Sequence, residues 1–315
     1  MTHGRADLAV EVPGPEGWKL AATLHLPPPD RLKPDAPVLV AMPGAGYNRR
    51  YFDLPEPGYS EAAHHVGQGI IVVALDHLAV GDSSVPPEPP SIVVTAAANS
   101  AAVGEIVRRL KTGELTGGQA MTPSAVVGAG QSMGGIIAVA MQANHRPFDG
   151  IAVLGASLVC TRLPSRSGEE LRFAGDADPR ESARQLYLSA DWRYAFHWDD
   201  VPEHLVAADM ARMPPIFGDG APWNSATAPD TTSLVLPGVL SHEAAVVDVP
   251  VLLGMGERDV CQDPLRELAA FQSARDLAQF VVPRMAHMHN FAGTRAMMWR
   301  RIDAFVAQVA ASAAA

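Results

Sequence analysis

The segment Gly128-Ala-Gly-Gln-Ser132-Met-Gly-Gly135 sets one serine in the pattern G-x-S-x-G over residues 130–134. It follows the apolar run Ala125-Val-Val-Gly and opens a stretch of helical character. A sharp strand-to-helix turn requires small residues on both sides, because a bulky side chain would strike the strand or the helix. The N–H groups at the start of such a helix favour developing negative charge. The chemistry suggested is nucleophilic attack on a carbonyl. A serine hydroxyl is barely nucleophilic near neutral pH, so it needs a base within hydrogen-bond reach. That base in turn needs a carboxylate to fix its tautomer.

Candidates for both lie downstream. Gly256-Glu-Arg-Asp259 follows the apolar run Val249-Pro-Val-Leu-Leu-Gly-Met. Asp259 has two rivals there, Glu257 and Asp263, the second of which precedes Pro264 and suits a helix N-cap. Met285-Ala-His287-Met-His289 offers two bases. A His-x-His pair in a strand faces one side and could hold a metal, but no third ligand of matching placement accompanies it, so no metal is expected. Among the other histidines, His64-His65 suits packing or surface on a helix. His77, after Asp76, is expected near the site, and His197 and His204 are candidates for a pocket wall.

With its flanking strand and helix, the serine motif makes the chain resemble the α/β-hydrolase family over nearly all its length except residues 158–247. Pro43-Gly-Ala-Gly46 follows the third strand, where the family places its oxyanion turn (often His-Gly), and Asp76-His-Leu-Ala-Val-Gly-Asp-Ser-Ser84 looks like the turn after its fourth. The family order Ser…Asp…His implies Ser132 as nucleophile, Asp259 as orienting carboxylate and His287 as base, with His289 the alternative base. It also implies two oxyanion donors. One is the N–H of Met133. The other comes from the 43–46 turn and is expected at Ala45, with Gly46 and Tyr47 as alternatives because Pro43 departs from the usual pair. The implied activity is cleavage of a small to medium carboxylic ester through an acyl-enzyme, with no cofactor. C–C bond hydrolysis of ring-cleavage diketones, or weakly catalytic ligand binding on the same scaffold, are the alternatives. Related enzymes with a carboxylate nucleophile do not suit a serine at the elbow.

These residues need a scaffold. Short apolar runs bounded by Gly and Pro recur at 36–43, 69–76, 125–130, 150–155, 249–256 and 278–283, each suited to a strand buried on both faces. Two further strands are expected at 7–14 and 20–27. Helical stretches lie at about 57–67, 95–111, 133–144, 264–275 and 294–311. The alternation implies an α/β fold with a doubly wound, mostly parallel sheet. Right-handed crossovers then bring the strand C-terminal ends to one edge, where the chemistry is expected. Residues 158–247 break the alternation and are too long for a simple loop. They are expected to form an inserted, mainly helical cap on a core of 1–157 and 248–315. Its aromatics are Tyr187, Trp192, Tyr194, Phe196, Trp198, Phe217 and Trp223. Of these, Trp192, Phe196 and Trp198, with Gly44 and Gly46 of the turn, are expected to line the substrate pocket. One of the segment's arginines (Arg162, Arg166, Arg172, Arg180, Arg184, Arg193) could anchor a substrate carboxylate.

Composition bounds the partners. With 315 residues, 48% of them hydrophobic, the chain can bury a sizeable core. Its 24 Lys and Arg against 34 Asp and Glu give a net charge of −10, which disfavours nucleic acid or an anionic membrane as partner. Two cysteines, Cys160 and Cys261, make no disulfide framework. No apolar run reaches the roughly 18 residues of a membrane helix, and Met1–Asp7 lacks the apolar core of a signal peptide. A cytoplasmic protein acting on a small-molecule ester is therefore expected, with self-association left open.

Overall fold

The apolar runs become strands of one eight-stranded sheet. The computed structural model describes residues 4–313 apart from 16, 169–170, 173–177, 179–180, 182–184, 186–187, 213–219 and 262. In chain order the strands are β1 (Gly4–Glu11), β2 (Lys19–Leu26), β3 (Val38–Met42), β4 (Ile71–Leu75), β5 (Val126–Gln131) and β6 (Gly150–Leu154), then the two-residue β7 (Arg162–Leu163) and β8 (Leu171–Arg172), then β9 (Val251–Arg258) and β10 (Leu277–Ala286). The sheet order is β1-β2-β4-β3-β5-β6-β9-β10, and β7 pairs with β8 apart from it. β2 runs antiparallel to both β1 and β4, and every other pairing in the large sheet is parallel.

The helices are α1 (Glu61–Gly67), α2 (Ile92–Lys111), α3 (Met133–His145), α4 (Trp192–Phe196), α5 (Glu203–Met210), α6 (Ser241–Val246), α7 (Pro264–Leu268) and α8 (Arg295–Ala313). Alternation along each strand divides its side chains between two layers. Val38, Val40 and Met42 of β3 join the core under α2 and α3, while Leu39 joins the core under α1 and α8. That is why the central strands read as continuous apolar runs rather than alternating ones. The helix expected over 264–275 ends at Leu268. Ala270 and Phe271 donate to carbonyls three residues back, a tightened turn that buries the Phe271 ring in the core.

The segment 158–247 leaves the sheet after β6 and returns to it at β9. Both its ends are rooted in the main core, because Leu158, Leu234, Ala244 and Val247 join the α2–α3 cluster and α6 packs along α3. Its middle covers the C-terminal edge of the sheet. Trp192, Phe196, Leu205 and Trp223 pack there with Tyr47, Tyr51, Phe52 and Phe291. Tyr187, Phe217, Arg180 and Arg184 lie outside the described residues. Cys160 and Cys261 are free thiols. No described helix is long and apolar enough to cross a membrane.

Candidate active site

Ser132 stands between β5 and α3 with φ 53° and ψ −118°, a region non-glycine residues avoid. Its N–H donates to the Leu154 carbonyl at 2.7 Å, which locks the turn to β6. The glycines around it are sterically required. A Cβ on Gly130 would lie 2.1 Å from the Gly134 carbonyl oxygen, and one on Gly134 would lie 2.3 Å from that of Met42. The serine itself stays partly exposed at the head of the helix.

Next in the sheet edge come the ends of β9 and β10. His287 Nε2 lies 3.1 Å from Ser132 Oγ, and His287 Nδ1 lies 2.7 Å from Asp259 Oδ1. His289 does not take that place: its Nε2 lies 2.7 Å from the other oxygen, Asp259 Oδ2. A register shift between Val282 and Ala286, with Arg284 at φ 52°, bends the end of β10 and sets the aim of this segment. The buried Asp259 carboxylate also accepts the N–H groups of Gly256 and Val260, each at 2.8 Å. Burial alone would raise its pKa. The charge and hydrogen bond of His287, with the hydrogen bond of His289, outweigh that and hold the group well below the usual carboxylate range. Of the two rival acids, Glu257 accepts the Arg284 N–H, and Asp263 stands at the N-cap position of α7.

On the other side of the elbow, the turn after β3 is pressed against it. A Cβ on Gly44 would lie 2.3 Å from Gln131 Oε1 and 3.1 Å from Ser132 Cβ. Ala45 and Met133 both line the cavity beside Ser132. The Met133 N–H, in the first turn of α3, has no carbonyl within the helix to bond. Behind the turn, buried His77 donates Nε2–H to the Pro43 carbonyl at 2.9 Å and accepts from Asn99 Nδ2 at 2.7 Å. Burial lowers its pKa to about 4, so the ring is neutral and can do both. Next to it the buried Asp76 carboxylate accepts the Arg49 N–H at 2.6 Å and its guanidinium at 2.5 Å, anchoring the chain just after the turn.

The cavity is about 630 Å³ including its mouth, and Ser132 and His287 lie on its wall. Trp192 and Phe196 line it as expected, with Ile136, Leu163, Leu234, Val260 and Met288. Trp198 does not line it: α4 ends at Phe196, His197 turns extended, and the Trp198 ring lies under the Arg258 guanidinium instead. Gly44 and Gly46 are also absent from the lining. Gly44 is buried under Gln131, and the Gly46 carbonyl accepts the Ser225 N–H. His197 pairs with Asp209, His204 with Glu56, and His64 and His65 with Asp303 on α8, so none of these faces the cavity. Among the described residues no arginine lines the cavity; Arg166 pairs with Asp191 and Arg193 with Glu203.

Two features escaped sequence reasoning. Gln131 donates Nε2–H to the His287 carbonyl at 3.0 Å, bracing the segment that carries the imidazole. Asp209 of α5 is fully buried and accepts from Tyr47 Oη (2.7 Å), His197 Nε2 (2.9 Å), Trp223 Nε1 (2.8 Å) and Asn224 Nδ2 (3.3 Å). In sequence Asp209 reads as one more helix-face acid. Its four partners come from three separate stretches of chain.

The sequence profile of the alpha/beta hydrolase family matches residues 38–298. The chain belongs to the alpha/beta hydrolase family. The elbow, the turn after β3 and the ends of β9 and β10 of this α/β-hydrolase all fall inside the matched span. Among solved structures it is similar to an esterase from Thermogutta terrifontis (TM-score 0.61, 15% identity, covering 96% of this chain and 99% of that one). It is also similar to naproxen esterase, carboxylesterase NP, from Bacillus subtilis (TM-score 0.63, 15% identity, 96% and 92%). A third similar structure is 2-hydroxy-6-oxo-6-phenylhexa-2,4-dienoate hydrolase from Rhodococcus sp. strain RHA1 (TM-score 0.58, 17% identity, 96% and 99%). At these identities the likeness is one of fold. No curated protein matches the chain in sequence.

Proposed function

We propose that this α/β-hydrolase cleaves small to medium, uncharged carboxylic esters through an acyl-enzyme. The observation that carries this reading is the chain of contacts Ser132 Oγ–His287 Nε2 at 3.1 Å and His287 Nδ1–Asp259 Oδ1 at 2.7 Å, at the wall of an apolar cavity. Ser132 Oγ attacks the ester carbonyl while His287 Nε2 takes its proton. The N–H groups of Met133 and Ala45 hold the resulting oxyanion. Collapse breaks the bond to the alcohol, which leaves with the proton from His287. Water, deprotonated by His287, then attacks the acyl-enzyme and releases the acid and Ser132. The segment 158–247 acts as a cap whose Trp192 and Phe196 form the acyl or aryl wall. An uncharged substrate is favoured because the lining, among the described residues, holds no lysine, arginine, aspartate or glutamate.

A fluorophosphonate probe tests the nucleophile. It should label the protein once, at Ser132, and labelling of Ser132→Ala would sink the assignment. A series of p-nitrophenyl esters of graded acyl length, run beside a vinylogous diketone, tests the bond. Faster turnover of the diketone would move the protein to C–C hydrolysis. Ligand binding without turnover of either, unchanged in Ser132→Ala, would make it a binding protein.

A further inference from the structure

The reaction described above uses one imidazole, yet two are bonded to the same carboxylate. The oxygens of Asp259 are divided between them. Oδ1 takes His287 Nδ1 and the Val260 N–H, and Oδ2 takes His289 Nε2 and the Gly256 N–H. His289 is 3% exposed, so this is an interior contact and not a surface pair. Its Nδ1 is buried and has no partner among the described residues. A doubly protonated ring would bury an N–H donor with no acceptor, at a cost of about 1–3 kcal/mol. With Nδ1 unpartnered, the contact with Asp259 is made by Nε2, whose N–H donates to Oδ2. Gly155, at φ 56°, closes the site behind it: a Cβ there would lie 3.1 Å from His289 Cε1 and Nε2 and 3.3 Å from Asp259 Oδ1. A side chain at 155 would press on both ring and carboxylate, so their placement calls for glycine there.

We propose that His289 is a positioning residue: by donating to the second oxygen of Asp259 it fixes the carboxylate's orientation and moderates its pull on the His287 proton. The proposal rests on the reading of Ser132, His287 and Asp259 given under Proposed function. A donor on Oδ2 withdraws charge from the carboxylate, so Asp259 stabilises the His287 imidazolium less strongly than an unshared carboxylate would. A base held this way remains unprotonated, and so active, to lower pH. Few other charges bear on it. On its own segment the titratable neighbour is His287; from the β9 turn they are Asp259 and Cys261, whose buried thiol feels the Asp259 charge and bonds Glu267 of α7. From α1, Glu61 is bonded to the adjacent Asn290, which also accepts from Trp299 and bonds Tyr51. From the insertion, His197 meets the edge of Phe291 and is paired with Asp209.

The test compares His289→Gln, whose Nε2 can replace the donor, with His289→Met, of similar size and without a donor. Both are measured for kcat and KM across pH on one p-nitrophenyl ester, with circular dichroism as a check on folding. In His289→Met we expect KM unchanged, kcat lower by about ten-fold, and the acid limb of kcat/KM raised by about half a pH unit or more. His289→Gln should return both kcat and the limb most of the way. If His289→Met does not fold, His289→Asn, too short to reach Asp259, takes its place. An acid limb unmoved or lowered in the donor-less variant, or the same loss in the Gln variant, would overturn the proposal. Ser132→Ala is run in parallel. If it stays active, the underlying reading fails, whereas a dead Ser132→Ala beside a wild-type-like His289→Met rejects His289 alone.

Discussion

Replacing Ser132 by glycine should leave the protein inactive but more stable than replacing it by alanine. The reasoning starts from φ 53° and ψ −118°, where a Cβ is strained. Holding a non-glycine residue in such a region costs about 1–3 kcal/mol. Alanine keeps the Cβ and with it the strain, while glycine removes both. Both variants lose the 3.1 Å contact to His287, so that contact cancels between them. Against the relief stands the greater freedom of glycine in the unfolded chain, about 0.4–1 kcal/mol. The balance favours glycine by roughly 1.5 kcal/mol, or about 2–3 °C in melting temperature for a chain of this size. At an ordinary helix position the order is the reverse. Urea unfolding of the two purified variants measures the difference, read as a change in midpoint at constant slope. A glycine variant equal to or below the alanine variant would refute the claim that the elbow stores strain at this residue.

Asp209→Leu should cost at least about 3 kcal/mol, because four buried donors lose their acceptor at once. Amide exchange should rise first at 222–225, the stretch bonded to residues 46–48, and protection there equal to wild type would contradict this. His65 gives a pH dependence of known sign. Burial works against its charged form, but bonds to Asp303 and Glu61 prevail and raise its pKa from 6.5 to about 9. Its contribution, on the order of 3 kcal/mol, is complete below pH 6.5 and is lost as pH rises through 9. His65→Gln should flatten that part of the stability–pH curve. His77 runs the other way: with its pKa lowered to about 4, it destabilises the fold as pH falls from 6.5 to 4. His77→Gln should lessen the loss in acid melts, and an unchanged curve would contradict this.

How much of this was legible in the sequence follows from how local each determinant is. The central strands were readable because burial on both faces leaves no polar residue to break the run from Val38 to Met42 or from Ile71 to Leu75. The elbow was readable because its clashes involve neighbours only a few residues away, as between Gly130 and Gly134. Asp259 and His287 were reached only through family order, since nothing local ties either to Ser132. The preference for His287 over His289 came from the family's order alone, and no local feature of the residues separates the two. Both reach one carboxylate, and the register shift near Val282 decides which ring meets the serine. Trp198 misled because composition marks an aromatic but not the turn after Phe196 that points it elsewhere. The helix Ser241–Val246, on α3, carries no pattern that separates it from the rest of its segment.

The insertion is bonded by its backbone to both halves of the site. The N–H groups of His287 and Met288 donate to the carbonyls of Ala195 and Phe196 at 3.1 Å. The turn after β3 is joined to it as well, through Asn48 N–H to the Trp223 carbonyl and Ser225 N–H to the Gly46 carbonyl, each at 2.9 Å. The segment that lines the pocket is thus also a buttress for the His287 segment and for the turn after β3. For anyone grafting substrate preference onto this scaffold, the insertion is not an exchangeable module. Replacing it whole removes supports of the chemistry along with the pocket wall. Preference is better altered at Leu163 and Leu234, which line the cavity and take no part in those backbone bonds.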